Sequence, residues 1–249
     1  MVSPKDLFSK HSRSYSIFRP TYPAELFQFL ADISSERDLV WDCATGNGQA
    51  ALPMARHFKK VIATDLSEKQ LDQAPFHPRI EYRKSTAEQS GLAAASVNLI
   101  TVAQAFHWFQ FEDFFTEVKR VTKPGAHLAV WCYNLAHHKP AVDQIVREFY
   151  SKTVGPFWDP ERKFVEQGYA NIKVPFHEIA CPEFEMTTDW SLEHLIGYLG
   201  TWSATQKWVS EDPSENSVEN LRESLKNAWG PDKIVRIYWP LTVRVFEIK

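Results

Sequence analysis

The sequence predicts a doubly wound α/β fold, in which helices flank a mostly parallel sheet. Three observations predict it. The first half of the chain alternates short apolar runs with helix-like runs. That rhythm requires crossover connections and therefore parallel strands. The first apolar run, Leu39–Trp41, ends at Asp42 and enters a glycine-bearing turn that opens a helix. Finally, the 249 residues are 44% apolar, enough for one core with an elaboration rather than two equal domains.

The elements follow in order. Leu39–Trp41 is the first strand, and Gln49–Phe58 reads as a helix whose Pro53 lies near the first turn, where proline is tolerated. Val61–Asp65 is the second strand, and Ser67 can cap a helix over Ser67–Ala74. Arg79–Arg83 and Val97–Ala103 give strands three and four. Phe111, Phe114, Phe115, Val118 and Val121 recur at spacings of three or four, which predicts an amphipathic helix. Lys123–Gly125 ends that helix before a fifth strand, His127–Tyr133.

After Tyr133 the rhythm breaks. Residues 135–170 are helical and aromatic-rich, and Val174–Trp190 holds a sheet-edge strand. Leu192–Val209 and Ser217–Trp229 read as helices, and Ile234–Lys249 as a last strand. Antiparallel edge strands on a parallel sheet are common. The expected division is a seven-stranded core of residues 1–134, 171–186 and 234–249. A helical cap of residues 135–170 and 187–233 covers the carboxyl end of the sheet. Seven of the nine tryptophans fall in this latter half. Most are expected to be core, with one or two lining an apolar pocket.

Formal net charge is −3, so no basic field points to nucleic acid. No apolar run is long enough to span a membrane, and the first sixteen residues are too polar for a signal peptide. Cys43, Cys132 and Cys181 are odd in number and scattered, which predicts free thiols in a reducing cytoplasm. No CxxC or HExxH occurs, so no metal is expected. Either a monomer or a homodimer is compatible with this composition.

What the turn holds is decided by charge. Gly46, Gly48 and Ala51 satisfy the dinucleotide spacing, and Asp65, at the end of the second strand, can accept hydrogen bonds from both ribose hydroxyls. Either a dinucleotide or another adenosine ligand fits so far. Asp42 disfavours a pyrophosphate beside the helix N-terminus and favours a ligand with an ammonium and a sulfonium. Opposite charges about 4 Å apart attract by roughly 4 kcal/mol at an effective dielectric near 20, before desolvation. S-adenosylmethionine is therefore expected over a nicotinamide dinucleotide.

"VWDCATGNGQAA" and "ATDLS" together resemble the cofactor loop and ribose motif of class I S-adenosylmethionine-dependent methyltransferases. The chain is similar to their trans-aconitate and small-molecule carboxyl methyltransferase group over most of its length, with Ala44 where that class often has glycine. The resemblance implies a Rossmann-like sheet. It also implies a cofactor site of Asp42, Ala44, Gly46, Gly48, Asp65, Leu66, Ala87, Glu88, Gln104 and Ala105. "AQAFHWF" resembles the loop that brings His107 and Trp108 near the methyl donor. "YSIFRPTYP" resembles a segment, with Tyr15, that closes over the cofactor. "TWSA", with Trp202 and Ser203, resembles a cap motif near the substrate. S-adenosylhomocysteine would be the product.

Methyl transfer from a sulfonium is an in-line displacement, and orientation alone can supply roughly 7–11 kcal/mol. A carboxylate acceptor needs no base at neutral pH, only a cation to hold it, for which Arg19, with Arg13 behind it, is the candidate. A hydroxyl or amine acceptor would use a base, for which His107 is the candidate. Trp108, Tyr133 and Trp202 can shape an apolar pocket in which Ser203 donates a hydrogen bond. The alternative to an enzyme is a non-catalytic module that binds S-adenosylmethionine or S-adenosylhomocysteine.

Overall fold

The computed structural model describes residues 18–214 and 216–249. Its strands are β1 (Leu39–Cys43), β2 (Lys60–Asp65), β3 (Ile80–Lys84), β4 (Val97–Ala103), β5 (Thr122–Cys132), β6 (His177–Ile179), β7 (Phe184–Trp190) and β8 (Val235–Glu247). Seven of them follow one path, β3-β2-β1-β4-β5-β8-β6, and β7 pairs with β8 off this path. Neighbours from β3 to β5 are parallel, while β8 runs antiparallel to β5, β6 and β7. The doubly wound, mostly parallel sheet is thus present, with one strand more than the seven expected.

The extra strand comes from β8 pairing along its whole length. Thr242–Glu247 lies against β5 and Val235–Leu241 against β7. The segment expected to hold one edge strand holds two, and β7 runs past residue 186, where the sheet was expected to end.

Successive strand residues face opposite sides, and both sides are covered. Val40, Val61, Ala63, Leu99 and Ala129 share one apolar cluster, whereas Trp41, Ile62, Ile100, Leu128 and Val130 share the other. The first cluster includes α1 (Ala24–Asp32), α2 (Ala51–Met54), α5 (Pro140–Glu148), α7 (Leu192–Gly200) and part of α9 (Arg222–Trp229). The second packs under α4 (Phe111–Val121), whose Phe114, Val118 and Val121 are fully buried, as their spacing requires. Two further short helices, α3 (Glu68–Leu71) and α6 (Arg162–Glu166), and α8 (Ser203–Glu211) are the other α-helices given for the described residues.

Two expectations are corrected. The helix after the first turn is much shorter than Gln49–Phe58, because Pro53 has no N–H for the carbonyl four residues back and Arg56 and His57 close tighter three-residue turns instead. Lys123–Gly125 does not separate helix from strand. The helix stops at Val121 and β5 begins at Thr122, the Lys123–Gly125 run being absorbed by a register irregularity against β4. Gly125 takes φ +74 there and donates to the Ile248 carbonyl.

All three cysteines are free, with Cys43 and Cys132 buried. Among the described residues no helix is long and apolar enough to cross a membrane.

Candidate functional site

The chain leaves β1 toward β2 and β3, then returns to β4 on the other side of β1. Ligands of open α/β sheets bind where that reversal opens a crevice at the carboxyl ends of the strands. Two loops meet there, the one after β1 and the one after β4.

The β1 loop turns sharply. Ala44, Gly46 and Gly48 take φ of +55, +58 and +82. At Gly48 only glycine fits, since a Cβ would stand 2.5 Å from the Tyr82 hydroxyl. Beside Gly46 a Cβ would meet nothing nearer than Gln70 Oε1 at 4.0 Å. Asp65 ties the loop to β2, accepting from the Gly46 and Ser67 amides at 2.8 Å each through its two oxygens. Leu66, next along, is 41% exposed.

Asp42 sits lower than its sequence position implies. It is fully buried, opposite Thr101 in the β1–β4 register. Thr101 donates to Oδ1 at 2.7 Å and Thr45 donates to Oδ2. Both oxygens therefore serve the scaffold, and burial pushes the carboxyl up to about 6 against the pull of those hydroxyls. Asp42 thus supports the loop from below, through Thr45 and Thr101.

Ala87 is buried after β3, and the Glu88 carboxylate accepts the Gln110 amide at 3.0 Å, holding the start of α4. Gln104 ends β4 at φ +55 and bridges to β5, donating to the Tyr133 carbonyl at 3.1 Å and accepting from its amide. Ala105 then leads into a single 3-10 turn, Phe106–Trp108.

That turn opens a pocket that gathers Arg19, Gln104, His107, Trp108, Tyr133, Trp202 and Ser203. All seven were singled out in the sequence, although they come from four distant segments. Tyr15 and Arg13 lie outside the described residues. Arg19 donates to the Tyr133 hydroxyl at 3.3 Å and to the Thr201 carbonyl, and lies 5.3 Å over the Tyr198 ring.

Sequence reasoning missed the other wall. Trp158, Asp159, Arg162 and Tyr198 also line the pocket. Arg162 lies 4.8 Å over Trp158 and donates to Asn134 Oδ1 and the Tyr150 hydroxyl. Among the described residues no carboxylate pairs with its guanidinium, whereas Asp159 is paired with Lys207. Nothing local marks Arg162 in the sequence, because the residues it shares the pocket with, Arg19, His107 and Tyr133 among them, come from distant segments.

His107 is 8% exposed and its imidazole is pushed down to about 3, by burial first and by the nearby Arg162 charge second. It is neutral across the physiological range.

Residues 41–130 match the family model described as a methyltransferase domain. A Dictyostelium discoideum protein named as a methyltransferase is 35% identical over 243 residues, which cover 95% of this chain and 92% of its own. The chain belongs to the class I S-adenosylmethionine-dependent methyltransferases. A solved structure from Anaeromyxobacter dehalogenans, described as a type II methyltransferase, superposes with a TM-score of 0.85 at 38% identity, covering 92% of this chain and 98% of that one. A Saccharomyces cerevisiae protein named as an S-adenosylmethionine-dependent methyltransferase is 20% identical over 246 residues, or 84% of each chain.

The methyltransferase loop fits its cofactor. The open space at Gly46, the carboxylate of Asp65 beside it and the exposed face of Leu66 suit an uncharged ribose and adenine. No lysine or arginine lies between Asp42 and Ala51 to claim a phosphate. When bound, S-adenosylmethionine supplies an electrophilic methyl group on a sulfonium. The protein's task is to hold an acceptor in line with it and to exclude water.

Proposed function

We propose that this methyltransferase acts on a small-molecule acceptor, most plainly a carboxylate or another oxygen nucleophile that needs no deprotonation. The observation that carries this reading is the charge of the pocket. Arg19 and Arg162 supply guanidinium groups suited to a carboxylate. The side chain placed to act as a base, His107, is too weakly basic at about 3 to take a proton from a hydroxyl or an ammonium at neutral pH. A carboxylate with a solution pKa near 4 is already ionised there. Trp108, Trp158 and Trp202 give the pocket an aromatic lining, which favours an acceptor with an apolar body.

The test is a methyl-transfer screen over carboxylates, phenols and amines with S-adenosylmethionine and mass-spectrometric detection. Methyl esters are the expected products, with an optimum that stays flat from pH 6 to 8. Turnover of amines alone would overturn the reading. Arg162→Gln is expected to raise KM for the best carboxylate more than tenfold, since charged hydrogen bonds contribute about 1.5–3 kcal/mol.

A further inference from the structure

Arg162 and Glu166 stand four residues apart on α6, the spacing at which opposite charges on a helix meet. No direct ion pair joins them. The Tyr150 hydroxyl bridges them instead, accepting from Arg162 Nε at 3.0 Å and donating to Glu166 Oε1. Neither direction is open to choice, since a guanidinium only donates and an ionised carboxylate only accepts. Glu166 is exposed and borders a separate crevice that Thr242 and Arg244 also line, whereas Arg162 lines the aromatic pocket. A phenol thus links a surface anion to a pocket cation and keeps the two apart.

Tyr150 is fixed in that position. It belongs to the π turn Phe149–Thr153. Its ring packs at 4.9 Å on Trp158 and 5.7 Å on Trp202, and its carbonyl accepts from the Trp158 indole at 3.2 Å. Partial burial pushes the phenol up to about 12, so it keeps the proton it donates and brings no charge of its own. The guanidinium lies over both rings, 5.6 Å from the centre of Tyr150 and 4.8 Å from that of Trp158. Asn134 Oδ1 accepts from Nη2 at 2.6 Å. Two of the three guanidinium nitrogens are therefore held by neutral oxygens. Among the described residues nothing accepts from Nη1, which keeps its donors for a ligand.

We propose that Tyr150 is a positioning residue that keeps Glu166 off Arg162, leaving the guanidinium's charge and its Nη1 donors to an acceptor's anion. This inference rests on the pocket being the acceptor site. If Arg162 were paired with Glu166, an acceptor carboxylate would first have to displace a carboxylate already in place.

Two measurements on the full chain test it. Tyr150→Phe keeps the ring and removes the hydroxyl. Its crystal structure is expected to show Arg162 paired directly with Glu166, against the bridged arrangement in wild-type crystals. Kinetics with the best carboxylate of the screen supply the second readout. Tyr150→Phe is expected to raise KM about three- to fivefold with kcat nearly unchanged, the scale of an exposed ion pair that the acceptor must displace. Glu166→Gln alone is expected to stay within about twofold of the wild type, because the surface carboxylate does not touch the acceptor. Adding Glu166→Gln to Tyr150→Phe is expected to bring KM back to within about twofold, although the hydroxyl is still missing. A role in packing alone would give no such rescue.

A KM that stays high in the double variant would overturn the proposal. So would Tyr150→Phe crystals in which Arg162 stays clear of Glu166, or wild-type crystals in which the two pair directly. If Tyr150→Phe left KM unchanged while Arg162→Gln raised it, the spacer would fail and the reading of the pocket would stand. If Arg162→Gln left KM unchanged as well, or if the screen gave no methyl ester, the reading of the pocket would fail and take the binding role of Tyr150 with it.

Discussion

Burial raises the Asp42 carboxyl to about 6 from 3.8, although Thr45 and Thr101 both donate to it. The folded chain therefore binds this proton more tightly than the unfolded chain. Its contribution favours folding below about pH 4 and is lost as pH rises to about 6. At about 1.4 kcal/mol per unit the swing is about 3 kcal/mol. Asp42→Asn keeps the size of the side chain and cannot ionise. In urea unfolding, the wild type is expected to lose about 3 kcal/mol relative to Asp42→Asn between pH 3 and 7, while other titrating groups cancel in the difference. A gap that stays constant with pH would contradict the buried, ionising carboxylate. An acid at this position was legible in the sequence, because a polar residue ending an apolar strand is conspicuous. Its depth was not, because the two hydroxyls that accommodate it arrive from the turn and from the neighbouring strand.

Elements were legible where one physical signal dominates. β4 and α4 have the bounds that apolar runs and periodicity assign to them. The strength of that signal on α4 reflects burial, since Phe114 is fully enclosed by Trp41, Phe106, Phe109 and Phe115. Phe114→Ala is expected to cost about 3–5 kcal/mol by leaving a cavity between helix and sheet. The expected readout is a lower thermal midpoint with the cofactor affinity of the remaining folded protein little changed. A loss below about 1 kcal/mol would mean that the helix does not seal this face. Where signals compete, the sequence misleads. Pro53 is compatible with a long helix by position but removes a donor from the helix, and the turn-like Lys123–Gly125 is drawn into a strand by the pairing of Thr122 with β4 and the bond from Gly125 to Ile248. The segment from Phe149 to Phe157 forms a π turn and a 3-10 turn, which have no period to read and exist because Phe149 and Tyr150 pack on Trp202.

Across the whole molecule, the glycine-bearing loop after β1 was legible because its parts are contiguous, whereas half of the lining of the proposed acceptor pocket was not. Arg19 and Tyr198 come from opposite ends of the chain, and Arg162 and Trp158, close to each other in sequence, join them in the pocket only through the fold. Binding at the loop should therefore be separable from chemistry in the pocket. A ligand that binds only the folded state adds about 2.7 kcal/mol at a hundred times its Kd. S-adenosylhomocysteine is thus expected to raise the thermal midpoint by several degrees, and NADH at equal concentration to leave it unmoved. The reason is the loop's charge pattern: Asp42 beneath it, Asp65 beside it and no basic residue on it repel a pyrophosphate while tolerating a cationic methionine moiety. Asp65→Ala removes the tie to Gly46 and the carboxylate proposed to accept from the ribose, and is expected to abolish the shift. Arg162→Gln, which touches only the pocket, is expected to keep it in full. If Arg162→Gln abolished the shift as well, the loop and the pocket would form one binding unit, and the acceptor's cations could not be assigned apart from the cofactor.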